Sequence, residues 1–280
     1  MSSIIESIKM RTSSRNYDKR PLEPGKRRQI ENYLSLNEKG PFGSTVRFQL
    51  LDYAEGEQVE TENLRTYGVI KGTRLFIVGA VVNTDKAMQD YGYCMEKNIL
   101  MATSLGLGTC WLGGTFKRSS FAKRIELSAN EAMPAVSPVG YATKKKTLRD
   151  SLFKFLARSK TRKPWEGLFC SNDFNTPLIE SDVERYATCL EAVRLAPSAS
   201  NKQPWRILKE KRSNIFHFYL RRAKIYAKAI KRIDMQKVDM GIAMCHFELA
   251  ARELRLTGSW QQQGNQTNLE DKEYIISWTG

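Results

Sequence analysis

A chain of 280 residues with 41% hydrophobic residues can bury the core of one large domain or two ordinary ones, which sets disorder aside. Five cysteines without a CxxC pair and only two histidines give no support to a disulfide framework, a zinc site or a Ser-His-Asp triad. The formal charge of +15 leaves a basic surface that attracts small anions or a nucleic-acid binder; no DNA- or RNA-reading motif accompanies the basic tracts, which favours the first.

In chain order, the start MSSIIESIKMRTSSR lacks the apolar stretch and cleavage site of a signal peptide, and no apolar run nears a membrane span in length. A cytoplasmic protein without a membrane partner is expected. RTSSRNY (residues 11–17) sets two arginines around three hydroxyls. Arginine offers a planar fork of donors suited to phosphate, although a capping role in a surface loop fits the same residues. A Pro-Leu pair then leads into an amphipathic helix (18–34), followed by strands at 46–53 and 74–82. Residues 90–111 read as a long helix, a short turn and a strand. Gly106 and Gly108 end that helix, while Gly113 and Gly114 follow the strand and expose backbone N–H groups to close approach. No GxGxxG opens a helix, and there is no Walker lysine.

A basic stretch (143–164) follows, in which Lys144, Lys145 and Lys146 read as a solvated run. Beyond it the pattern returns. FNTPLIESDVERYATCL (174–190) matches DKRPLEPGKRRQIENYL (18–34), strands are expected at 205–211 and 214–220, and DMGIAMCHFELAARELRLTGSW (239–260) aligns without gaps on DYGYCMEKNILMATSLGLGTCW (90–111). Between helix and strand lies RLAPSASNKQPW (194–205). Its short polar side chains can aim at a flat polar ligand or simply bond to their own backbone. Strands and helices mix without regular βαβ alternation, so the expectation is an α+β fold of two tandem copies, 1–142 and 165–280, joined by 143–164 into an intramolecular pseudo-dimer. His246, Cys110, Cys245, Trp111 and Trp260 read as packing residues of the repeat.

Together RTSSRNYDKRPL, MATSLGLGTCWLGG and APSASNKQPWRI resemble the nitroreductase family of FMN-dependent oxidoreductases, in an internally duplicated, fused form, over almost the whole chain. The resemblance implies an FMN site assembled from both copies. Arg11, Thr12, Ser13 and Arg15 would hold the phosphate and nearby polar atoms, together with Lys160 and Arg162 of the basic stretch. Pro197, Ser198, Ala199 and Asn201 would line one side of the flavin, and Gly113 and Gly114 would sit at its redox-active edge. It also implies ping-pong two-electron transfer from NADH or NADPH to nitroaromatic, quinone or flavin-type acceptors, with no catalytic side chain.

Aligning the copies places Gly167, Leu168, Phe169, Cys170 and Ser171 against residues 11–15, and no Pro-Ser-x-x-Asn loop stands in the first copy. One complete site per chain is therefore expected, in a chain that acts as a monomer. Competing readings are a specialised flavin enzyme (dehalogenase-like, enoyl-reducing or flavin-destroying), a protein that binds FMN without turnover, and a basic nucleic-acid binder.

Overall fold

The computed structural model describes residues 3–53, 66–143, 161–222, 233–264, 266 and 268–280; Lys144, Lys145, Lys146 and Lys160 lie outside them. The first half runs α1 (Ile4–Met10), α2 (Pro24–Leu36), β1 (Val46–Asp52), β2 (Leu75–Val82), α3 (Ala87–Ser104), β3 (Gly108–Thr109), α4 (Arg118–Arg124), β4 (Glu131–Ala132) and β5 (Val136–Gly140). The second runs β6 (Phe169–Ser171), α5 (Tyr186–Leu195), β7 (Trp205–Lys209), β8 (Ile215–Arg221), α6 (Met235–Glu253), β9 (Ser259–Gln261) and β10 (Lys272–Thr279).

The duplication is written in the sheets. The first has the order β1-β2-β5-β3, with β4 also on β2; the second is β6-β7-β8-β10-β9. Leaving β4 and β6 aside, the two orders are the same. Each copy opens on an antiparallel pair, Val46 opposite Val81 in one and Trp205 opposite Leu220 in the other. β2 is buried along almost its whole length and is correspondingly an uninterrupted apolar run, LFIVGAVV.

Between the sheets, α3 and α6 cross with most of their residues buried. A Cβ on Gly92 would collide with the Val238 carbonyl, and one on Gly241 with the Gln89 carbonyl. Gly92 and Gly241 occupy aligned positions, as do Gln89 and Val238, so each helix presses its glycine onto the other's backbone at a pseudo-two-fold contact. The aligned Asp90 and Asp239 then perform one task in both halves, each accepting backbone N–H donors from the loop that precedes the first long strand of its copy. Asp90 accepts from Phe42 (2.9 Å) and Ser44 (2.8 Å), and Asp239 from Ala199 (2.9 Å). The helix ends match too. Gly106 (φ 76°) and Arg255 (φ 56°) are left-handed just past their C-caps, so the turn persists in the second copy without glycine.

One part of the alignment is not reproduced. Ser13 bridges Thr109 at the β3 edge of its sheet, whereas β6 pairs in parallel with β7, at the opposite edge of the second sheet. Residues 167–171 are therefore not the spatial counterpart of residues 11–15. Leu168 and Phe169 are fully buried, and this apolar pair fixes the segment as an added strand packed into the second core. No described helix is long and apolar enough to cross a membrane.

Candidate cofactor site at the seam between the halves

The loop after α5 is built by its own short polar side chains. Pro197 follows the helix, and within the next six residues Ser200 (φ 47°), Asn201 (φ 54°) and Gln203 (φ 47°) are all left-handed. That conformation is costly for non-glycine residues and persists only where the surroundings hold it. Several hydrogen bonds do so. The Gln203 backbone N–H donates to Ser198 Oγ (2.9 Å), and its side-chain Nε2 donates to the carbonyl (3.1 Å) and Oδ1 (3.2 Å) of Asn201. Asn201 Nδ2 donates to the Thr161 carbonyl (2.9 Å), and Gln203 Oε1 accepts the Lys163 backbone N–H (2.8 Å). Strain of this kind clusters at ligand sites.

The end of the basic stretch lies along this loop. Arg162 donates through Nε and Nη2 to the Leu195 carbonyl (3.3 and 3.0 Å), and through Nη1 to the Thr161 carbonyl (3.1 Å) and Asn201 Oδ1 (3.4 Å). Burial lowers its pKa, and the positive charges of Arg11 and Arg194 lower it further. A cation from the first half thus faces the cations of the loop region. Arg11 is itself buried, with Nε 4.0 Å from Glu96 Oε1. Its Nη1 is shielded from solvent and has no hydrogen-bond partner among the described residues.

A second cationic group supports the loop from the sheet side. Lys163 Nζ and Arg206 Nη1 both donate to the Gln203 carbonyl (3.2 Å each). Burial, with Arg206, Arg221 and Lys202 nearby, pushes Lys163 down to about 8, and burial with Arg221 pushes Arg206 down to about 10. Other basic residues of the second half are committed to carboxylates: Arg221 to Asp271 (3.0 Å), and Arg222 to Asp234 (2.8 Å) and Glu273 (2.7 Å).

The glycine turn reaches the same region through α6. A Cβ on Gly113 would lie 2.7 Å from Met235 Cε, and four residues along that helix Asp239 receives the Ala199 N–H. One turn of α6 therefore ties Gly113 to the loop, and nothing lies within 4 Å of where a Gly114 side chain would start. Burial raises the Asp239 carboxyl well above the usual carboxylate range, and its Oδ2 is buried without a partner among the described residues.

Of the residues singled out from the sequence, Arg11, Arg162, Ser198, Ala199, Asn201 and Gly113 are joined by these interactions, with Pro197 at the head of the loop. Thr12, Ser13 and Arg15 run on from Arg11 along the first sheet. Ser13 bridges Thr109, and the Arg15 carbonyl accepts the Lys71 N–H (2.9 Å). Gln203, Lys163 and Asp239 were not singled out from the sequence as site residues. For Asp239 a signal existed: an aspartate kept at the same place in both copies.

A family profile described as "Putative TM nitroreductase" matches residues 3–251. The protein belongs to this nitroreductase family. Among solved structures, this chain is similar to a putative nitroreductase from Thermotoga maritima, with 20% identity and a TM-score of 0.62, covering 99% of this chain and 94% of that one. A nitroreductase with bound FMN from Desulfitobacterium hafniense matches at 18% identity and a TM-score of 0.42, over 52% of this chain and 92% of its own. A putative nitroreductase in complex with FMN from Desulfovibrio desulfuricans matches at 18% identity and 0.41, over 54% of this chain and 95% of its own. No curated protein matches in sequence. Family membership makes the chain one of the oxidoreductases and agrees with the fused two-copy α+β fold seen in its sheets.

Proposed function

We propose that this nitroreductase binds one FMN per chain at a composite site and acts as an NAD(P)H-dependent oxidoreductase. The site draws on both halves (residues 1–142 and 165–280) and on the segment between them (143–164). The observation that carries the reading is Arg162, hydrogen-bonded along the strained Ser198–Asn201 loop and within electrostatic reach of the buried Arg11. The residues fit the group. A buried guanidinium nitrogen without a partner among the described residues and a neighbouring cation suit a phosphate, and the open backbone at Gly114 suits a flat ring.

Arg11 and Arg162 donate to phosphate oxygens in this reading, with Thr12, Ser13 and Arg15 completing the polar shell; Lys160, outside the described residues, is a further phosphate contact. Pro197, Ser198, Ala199 and Asn201 flank the ring, and Gly113 and Gly114 present backbone N–H groups to its edge. The chemistry FMN supplies when bound is two-electron transfer from NADH or NADPH to a nitroaromatic, quinone or flavin-type acceptor, in ping-pong order. The chain's own part is to orient the ring, stabilise negative charge with fixed donors and cations, and leave one face open to small molecules.

Anaerobic addition of NADH or NADPH to the FMN-loaded protein tests this. The flavin absorption band is expected to bleach and to return on adding a quinone or nitroaromatic. A band that persists with both nucleotides would make the protein a flavin binder without turnover.

A further inference from the structure

Behind Arg11 lies a carboxylate–imidazole pair that bridges the two halves. Glu96 on α3 and His246 on α6 are both 0% exposed, with Oε1 2.9 Å from Nε2. The other ring nitrogen, Nδ1, lies 2.8 Å from the Ala192 carbonyl oxygen. A carbonyl only accepts, so Nδ1 carries a hydrogen. Glu96 Oε2 accepts the Trp111 indole N–H (2.7 Å). One further proton must lie between Oε1 and Nε2, since without it a carboxylate oxygen would face a bare ring lone pair away from water. With that proton the pair is neutral, whichever atom holds it.

Arg11 Nε stands 4.0 Å from the same Oε1. A lone buried glutamate there would cancel the arginine's charge. A neutral pair orients it and leaves the charge for a ligand. The remaining groups around the pair do not alter this balance. Cys245, next to His246 on α6, is held as a thiol by burial. Glu248 is occupied by Tyr93 (2.7 Å), the Trp260 indole (2.7 Å) and Arg252. Lys97 of α3 points its ammonium at the Tyr93 ring (5.7 Å), and α5 presents the Ala192 carbonyl.

We infer that His246 is a positioning residue: by sharing a proton with Glu96 it keeps the buried pair neutral, so that Arg11 offers its full positive charge to a dianionic phosphate at the seam. This rests on the phosphate-site reading above. Without the imidazole, the Glu96 carboxylate pairs with Arg11 and withdraws its charge from the phosphate.

The test is equilibrium FMN binding, with inorganic phosphate as competitor, to the full chain and to His246→Gln, Glu96→Gln and the double variant, each checked for folding by thermal unfolding. Glutamine retains a donor for Glu96 but has no proton to share. Loss of one charge-assisted contact corresponds to about tenfold or more in affinity. His246→Gln is expected to bind FMN about tenfold more weakly at pH 8, where the phosphate is dianionic. Glu96→Gln and the double variant are expected to bind within about threefold of the unaltered chain. A purely structural His246 would leave the double variant as weak as the single one, and that result overturns the inference. So does loss of binding in Glu96→Gln, which keeps the test decisive if His246→Gln does not fold. Unaltered binding by His246→Gln overturns the inference alone. An unaltered chain that binds neither FMN nor phosphate overturns the phosphate-site reading as well.

Discussion

Asp239 and Asp90 hold aligned positions and bind loop backbone in the same way, but Asp90 satisfies two donors while Asp239 satisfies one and buries Oδ2 without a partner among the described residues. Burial raises the Asp239 carboxyl well above its ordinary range. The native state therefore keeps a proton that the unfolded chain has already released, and stability from this group falls as pH rises from the ordinary carboxylate range toward the native value. Asp239→Asn retains an acceptor for the Ala199 N–H and abolishes the titration. It is expected to be more stable than the unaltered chain at pH 8 and to lose part of the difference in stability between pH 5 and pH 8, read by urea unfolding. Asp239→Ala leaves that N–H unpaired and costs about 1–3 kcal/mol.

Lys163 gives an independent reading of the cations around the loop. With its ammonium pushed down to about 8, the neutral amine is well populated at pH 8, while ordinary lysines remain protonated. Acylation at pH 8, mapped by mass spectrometry, is expected to favour Lys163 over exposed lysines; equal labelling would contradict the cluster. The sign for stability is opposite to that of Asp239: the cost of holding the cation disappears as pH rises from about 8 toward the ordinary lysine range, so this contribution increases with pH.

At the scale of elements, the crossing of α3 and α6 concentrates the packing of the two halves on Gly92 and Gly241. Gly241→Val places branched carbons against the Gln89 backbone and is expected to cost about 1–3 kcal/mol or more by overpacking, read from the unfolding midpoint. An exposed glycine substitution such as Gly25→Ala, with open space around it, serves as the control.

Most elements were legible because their signals are local. LFIVGAVV announces a strand, and the gap-free match of 90–111 with 239–260 marks the two long helices and the strands after them. The position of β6 was not legible. Its partner β7 lies more than thirty residues away in a parallel pairing that leaves no periodic trace in either segment. The site was legible in the same uneven way. RTSSR and PSASN stand out as strings, but the neutral Glu96–His246 pair depends on two helices meeting, and no spacing along the chain records it.

For the whole molecule, the central proposal is that duplication has been followed by division of labour: the first half supplies Arg11 to a seam site, and the second supplies the strained polar loop on which Arg162 is held. The first half's counterpart loop shows what the division leaves behind. Asn37 there donates to the Cys94 carbonyl (2.7 Å) and Asn98 Oδ1 (2.9 Å), and Asp90 closes on Phe42 and Ser44, so the Asn37 amide nitrogen and the loop N–H groups are directed at α3 of the same half. The measurement that tests this most directly is the stoichiometry of FMN binding to the full chain, by visible absorbance after removal of excess cofactor, alongside Arg11→Ala and Arg162→Ala. The account predicts one equivalent per chain, lost or sharply weakened in both variants, although the two arginines come from different parts of the sequence. Two tightly held equivalents, or one equivalent indifferent to both substitutions, would contradict it.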